Sequence, residues 1–257
     1  MTPSAPRLTG PAAQAAILVL AGCGGPSGAA APDPLRTVAP LPDSAVGQAL
    51  AERAAHPYSA RFHTERPRGA NSSPVQRIEG TLNLGARTTG EFTVSSVEPD
   101  RYKEAQEVLL PTGAWVREVD GNGRTVRGWW HDPLAKAPPG NQIMQVHAVA
   151  QLLARQPANA RQQLRADTGG PPLYRLSGWI ATAAFEGVDP RTYATLVPRE
   201  DVPGTKGVTC TAWVDAQGRV TRFEEDLVYP DDSRYQSVMT FTGFAGPVPV
   251  RAPATGP

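Results

Sequence analysis

The change of hydrophobic period after His56-Pro57 constrains the fold of this chain most tightly. Before it, Val46, Ala49, Leu50 and Ala54 recur three and four apart, one face of a helix expected from Asp43 or Ser44 to about Ala55. After it the period is two. Tyr58 to Thr64, Val75 to Leu84, Phe92 to Val97 and Lys103 to Leu110 read as strands, separated by the polar loop Arg66 to Pro74, by Gly85 to Gly90 and by further turn residues. Trp115 to Val119 and Thr125 to Trp130 flank Asp120-Gly121-Asn122-Gly123, a strong hairpin signal. A period of two sends alternate side chains to opposite faces, so strands joined by short turns give an antiparallel sheet with one apolar face.

Pro133 to Gly140 breaks this run. Asn141 is expected to cap a helix through Arg155, with Ile143, Val146, Val149, Ala150 and Leu153 as its stripe, and Ala158 to Ala166 to add a second helical piece. Gly169-Gly170-Pro171-Pro172 is a break. Leu173 to Ala184 then reads as a strand and Pro190 to Leu196 as a short helix. Val208 to Val214, Val220 to Tyr229 and Tyr235 to Phe244 form a meander turning at Asp215 to Gly218 and Pro230 to Ser233. Pro247 to Val250 is expected as a last edge segment, where proline is tolerated. A sheet must bury its apolar face, and the helices are the available cover. The expected class is α+β: a single, strongly curved antiparallel half-barrel sheet wrapped over helices.

Composition narrows the function classes. The 257 residues carry a net charge of +1, with basic residues scattered and not gathered on one stretch, so a nucleic-acid partner is not expected. His56, His63, His131 and His147 lack partners at metal-ligand spacing, so no metal or other cofactor is expected. His147 falls near the apolar stripe and reads as a partly buried core histidine. No Gly-x-Ser-x-Gly elbow or phosphate loop occurs, so no catalytic residue is assigned and the chain is not expected to be an enzyme. Glu224, Glu225 and Asp226 alternate faces and read as a solvated edge, although Glu225 shares its face with Phe223 and Leu227. Of the two cysteines, Cys210 alternates with threonines and reads as a small buried hydrophobe. A Cys23–Cys210 bridge is the rival arrangement.

The N-terminal stretch points to location. Ala12 to Gly22 is too short to span a bilayer, which takes about 20 apolar residues. It has the length of a signal-peptide apolar region. Leu20-Ala21-Gly22-Cys23 follows, and then Pro, Gly and Ala to about residue 42, a linker composition. This arrangement resembles the lipobox of a bacterial lipoprotein. The resemblance implies cleavage before Cys23 and a diacylglyceryl group on its thiol. The organisation it implies is a signal peptide over 1–22, a linker over 23–42 and one half-barrel domain over 43–257. Localisation would be at the cell membrane, lipid-anchored on the extracytoplasmic side.

A second resemblance rests on Trp213-Val214-Asp215-Ala216-Gln217-Gly218, on Met239 to Phe244 followed by Pro247 to Val250, and on Tyr174 to Gly178. These segments are similar to actinobacterial lipoproteins of the LppX/LprAFG type. That likeness implies a fold akin to LolA and LolB, and an acylated lipid held between sheet and helices. Trp115, Trp129 and Trp130 on strands, with Ile143, Val146, Val149 and Leu153 on the helix, are the candidate lining of such a cavity. Two readings stay open: non-covalent carriage or presentation of a lipid or other apolar ligand in the cell envelope, or a surface interaction or sensor module with a packed core. No protein partner is named by the sequence.

Replacing Cys23 with Ala removes the only thiol at which the tether is expected. Two acyl chains hold a protein stably on a bilayer and one does not. Cell fractionation and metabolic labelling with a fatty acid should therefore find the Cys23→Ala protein released and unlabelled. A variant that still labels and sediments with membranes would rule out the lipobox.

Overall fold

A computed structural model of the chain describes residues 43–65, 75–98, 101–120, 122–133, 143–156, 162–166, 173–197, 204–228, 230 and 234–254. Cys23, the linker, the loop 66–74, Asn141 and the break at 169–172 lie outside the described residues. Helix α1 (Asp43–Ala55) is followed by β1 (Tyr58–Glu65), β2 (Val75–Leu84), β3 (Thr89–Glu98), β4 (Arg101–Leu110), β5 (Gly113–Asp120) and β6 (Thr125–Asp132). Then come α2 (Val146–Arg155), β7 (Gln162–Ala166), β8 (Leu173–Ala181), a 3-10 turn (Thr182–Phe185) and α3 (Pro190–Leu196). The last three strands are β9 (Gly207–Asp215), β10 (Val220–Val228) and β11 (Arg234–Ala245).

The strands form one sheet in the order β6-β5-β4-β3-β2-β1-β11-β10-β9-β8-β7, with every pair antiparallel. The expected α+β class with a large antiparallel sheet is therefore found. The sheet is two meanders, β1 to β6 and β7 to β11, joined where β1 pairs with β11. Among the described residues β6 and β7 stand at its ends, and it is not closed.

Four expectations need correction. Residues Gln162–Ala166 are not helical but pair with Leu173–Ser177, because the free edge of β8 offers hydrogen bonds that outweigh a weak helical preference. The second helix begins at Val146 and not at Asn141. The N–H groups of Ile143 and Gln145 are taken by the side chains of Glu225 and Asp189, which draws this stretch out of helical geometry. The strand from Leu173 stops at Ala181, where Thr182 turns to bond Lys206 O and Thr205 O. Pro247 to Val250 is not a strand, since β1 already occupies the edge of β11. It is held instead by side chains. The Asn83 amide donates to Val248 O (2.8 Å) and accepts from Val248 N (2.8 Å), and Ser59 Oγ donates to Gly246 O.

The inner face of the sheet and the helices share one core. Val46 and Leu50 of α1 and Val149, Ala150 and Leu153 of α2 lie buried with Phe62, Ile78, Leu82, Phe223 and Met239. Helix α2 packs on β8, β9, β10 and α1. Phe62 meets Phe92 edge-on at 5.8 Å, although β2 runs between their strands. Gly80 makes this possible: the register places it between the two rings, and a Cβ there would stand 2.6 Å from Phe92 Cβ. Gly218, in the left-handed region at φ +76°, sets the β9–β10 turn against α1, within 2.2 Å of Ala49 O for any added Cβ. The Arg53 guanidinium reaches over to Gln217 O at 2.9 Å.

Substitution at these glycines separates close approach from simple flexibility. Gly80→Val should lower stability by roughly 1–3 kcal/mol through overpacking, and Gly218→Ala by about 1–3 kcal/mol through backbone strain and collision. Gly47 in α1 has nothing within 4 Å of the point where a Cβ would stand, so Gly47→Ala should stabilise by about 0.5–1 kcal/mol. Thermal unfolding of the three variants checks the signs.

Candidate functional site

The interface between sheet and helices gathers part of the candidate lining. Ile143, Val146, Val149 and Leu153 are buried together on its apolar side. Trp130 joins them, half-buried, from β6 opposite Val116, with the Arg127 guanidinium 3.9 Å over its ring. Trp115 and Trp129 do not belong to this lining. Ala114 and Val116 face the core, so Trp115 between them faces away and meets His131 at 5.2 Å, the rings tilted by 52°. Trp129 precedes Trp130 on one strand and must take the other face, where Arg117 lies 5.0 Å over its ring.

A buried polar seam runs along the helix side of the interface. Glu225 Oε2 accepts from Ile143 N at 3.2 Å, and Asp189 Oδ2 from Gln145 N at 3.2 Å. Asp189 Oδ1 also caps α3 through Thr192 N at 3.1 Å. Gln145 Oε1 accepts from Thr88 N in the β2–β3 turn. Arg191 faces Glu107 of β4 at 3.7 Å, both nearly sealed from water. Burial pushes the Glu107 and Asp189 carboxyls above their usual range, opposed by Arg191 and by the N–H donors on Asp189. Glu225 is thus buried and not on a solvated edge. Its shared face with Phe223 and Leu227 was the signal. Glu107, with apolar Val108 and Leu109 after it, gave none.

His147 is fully buried, beyond the partial burial that its place near the stripe suggested. Its Nε2–H donates to Leu50 O at 2.9 Å, and its ring meets Tyr58 edge-on at 6.0 Å. Cys210 is free and buried, and burial drives its thiol well up. Such a thiol is not a nucleophile. At the rim, beside the first turn of α2, a hollow of about 190 Å³ opens between Thr88, Leu110, Pro111, Gln145, Val188 and Asp189. Chemically, the interface offers a broad apolar surface, buried carboxylates already engaged by donors, and an opening at one end. Among the described residues no helix is long and apolar enough to cross a membrane.

No family model and no curated protein matches the chain. Among solved structures it is similar to LprF from Mycobacterium bovis, at 13% identity and a TM-score of 0.44, over 84% of this chain and 99% of that one. It is also similar to a LolA superfamily protein from Nitrosomonas europaea, at 10% identity and a TM-score of 0.30, over 79% of this chain and 94% of that one. LprF is of the LppX/LprAFG type that the sequence resembles.

The buried histidine sets a pH dependence. Burial holds His147 below the ordinary value of 6.5. Below that pH the unfolded chain binds a proton that the folded chain refuses, so stability falls with acidification. The raised carboxyls Glu107 and Asp189 act with the opposite sign, since the folded state protonates them first. The difference between wild type and His147→Gln isolates the histidine. Urea unfolding should show wild type losing up to about 1.4 kcal/mol per pH unit relative to the variant below about pH 6.5.

Proposed function

We propose that this chain is a membrane-anchored lipoprotein that binds a lipid or another apolar ligand non-covalently between sheet and helices. It carries or presents that ligand in the cell envelope, by burial and without covalent catalysis. Two acyl chains on Cys23 would hold it at the extracytoplasmic side of the cell membrane, and the linker would let the domain stand off.

One observation carries the reading: a single eleven-stranded sheet turns one broad apolar face toward the described helices. Eleven strands make ten steps of about 4.8 Å, roughly 48 Å of sheet. A helix with its side chains is about 10 Å across, and the described helices have 13, 10 and 7 residues. Yet inner positions are buried from Ala114 and Val116 on β5 to Leu176 and Ile180 on β8. A strongly curved half-barrel brings these ends toward the helices. A broad apolar interface of this kind suits an acyl chain. The rim hollow beside α2 supports a mouth, and Trp130, Ile143, Val146, Val149 and Leu153 are the lining expected to meet the ligand.

Organic extraction of the purified protein followed by mass spectrometry should recover acyl lipid beyond the covalent anchor, and the emptied protein should take up a fluorescent fatty-acyl probe. Protein that purifies empty and takes up no probe would favour the packed interaction module instead.

A further inference from the structure

The outer face of β8, β9 and β10 carries a groove of about 420 Å³, within the range of small-ligand sites. Trp179, Thr209 and Asp226 lie side by side across the three strands in register. Lys206 and Val228 complete the walls. Trp179 and Val228, 54% and 53% exposed, are two of the four large apolar side chains that are exposed among the described residues, and both line this groove.

The indole is a built platform. The ring packs on Gly207, where a Cβ would stand 2.4 Å from the indole and from Ile180 O, so a larger residue would displace it. Gln156 Nε2 donates to Trp179 O and fixes the strand end. The other tryptophans have a cation or a histidine over the ring: Arg117 on Trp129, Arg127 on Trp130, Arg175 and Arg222 on Trp213, and His131 on Trp115. Among the described residues Trp179 has none, and its side chain stands half-exposed in the groove. Asp226 stands across from it, both its oxygens held by the Arg234 guanidinium, Oδ1 by Nε at 2.7 Å and Oδ2 by the terminal N–H, which holds the carboxyl below its usual range and leaves lone pairs for further donors.

We infer that this groove is a carbohydrate-binding site, separate from the sheet–helix interface, in which a pyranose ring stacks its C–H face on Trp179 while its hydroxyls bond Asp226 and Thr209. A pyranose has one apolar face and a rim of hydroxyls, matching a flat ring floored by backbone and edged by an acceptor carboxylate and a hydroxyl. A bilayer matches less well, because inserting Trp179 would strip water from the neighbouring Asp226–Arg234 ion pair and from Lys206.

Saturation-transfer NMR on the full chain, in micelles of a sugar-free detergent, tests this with trisaccharides of glucose, mannose, galactose and N-acetylglucosamine. At least one should receive saturation at its ring protons. Trp179→Ala should weaken that binding at least about tenfold, a loss of roughly 1.4 kcal/mol, with Trp179→Phe retaining part of it. Because Trp179 is half-exposed, the variants should melt like wild type. No transfer to any trisaccharide would overturn the inference. So would transfer unchanged in Trp179→Ala, or a Trp179→Ala chain lacking only its affinity for phosphatidylglycerol vesicles.

Discussion

The pairing of β1 with β11 is the contact on which the rest of the structure depends. Every other strand pairs with its neighbour in sequence. The β1–β11 pair joins residues about 180 positions apart, Phe62 opposite Phe241 among them. Closing so long a loop costs about 3 kcal/mol more than closing a hairpin, at roughly 0.6 kcal/mol per doubling of length. Side chains concentrate there. Phe62 stacks on Phe241, Tyr58 meets Phe244 at 5.9 Å, and the Tyr58 hydroxyl accepts from Val220 N beyond β11. The tail after β11 adds to the seam by crossing β1 and β2 through Ser59 and Asn83.

Once the two meanders are joined, the apolar face is continuous, and the helices must cover it. Helix α1 precedes the first meander and α2 lies between the two, so they meet over the seam and hold each other. His147 of α2 donates to Leu50 O of α1, and Gln151 donates to the same oxygen. The β9–β10 turn, through Gly218 and Gln217, presses on α1 from the second meander. The strands furthest apart in the chain, β1 and β11, thus become neighbours in the sheet.

What could be read from the sequence was what depends on local period. Val75–Leu84 and Pro190–Leu196 have the expected bounds, and the other strands differ by a few residues at their ends. What could not be read depends on partners. Gln162–Ala166 is a strand because β8 lies beside it, and Ile143 leaves the helical stripe because Glu225, 82 residues away, takes its N–H. The tryptophans form a third class, where size outweighed parity. Trp129 and Trp130 are consecutive on a strand, so only one can face the helices, and Trp115 sits between Ala114 and Val116, which do. Parity was legible; bulk was not a guide to the face.

The polar seam explains how a mostly apolar interface keeps one arrangement. Apolar contacts are non-directional, and helices resting on them alone can slide. Three buried carboxylates remove that freedom: Glu225 of β10 and Asp189 ahead of α3 fix Ile143 and Gln145, and Glu107 of β4 faces Arg191 of α3. The seam thus links the second meander to the approach of α2, that approach to α3, and α3 to the first meander. Such groups are often neutral or costly in net stability while fixing geometry. At the start of α2 the two bonds of 3.2 Å to carboxylates add direction to packing that Ile143 and Val146 share with Val149, Ala150 and Leu153.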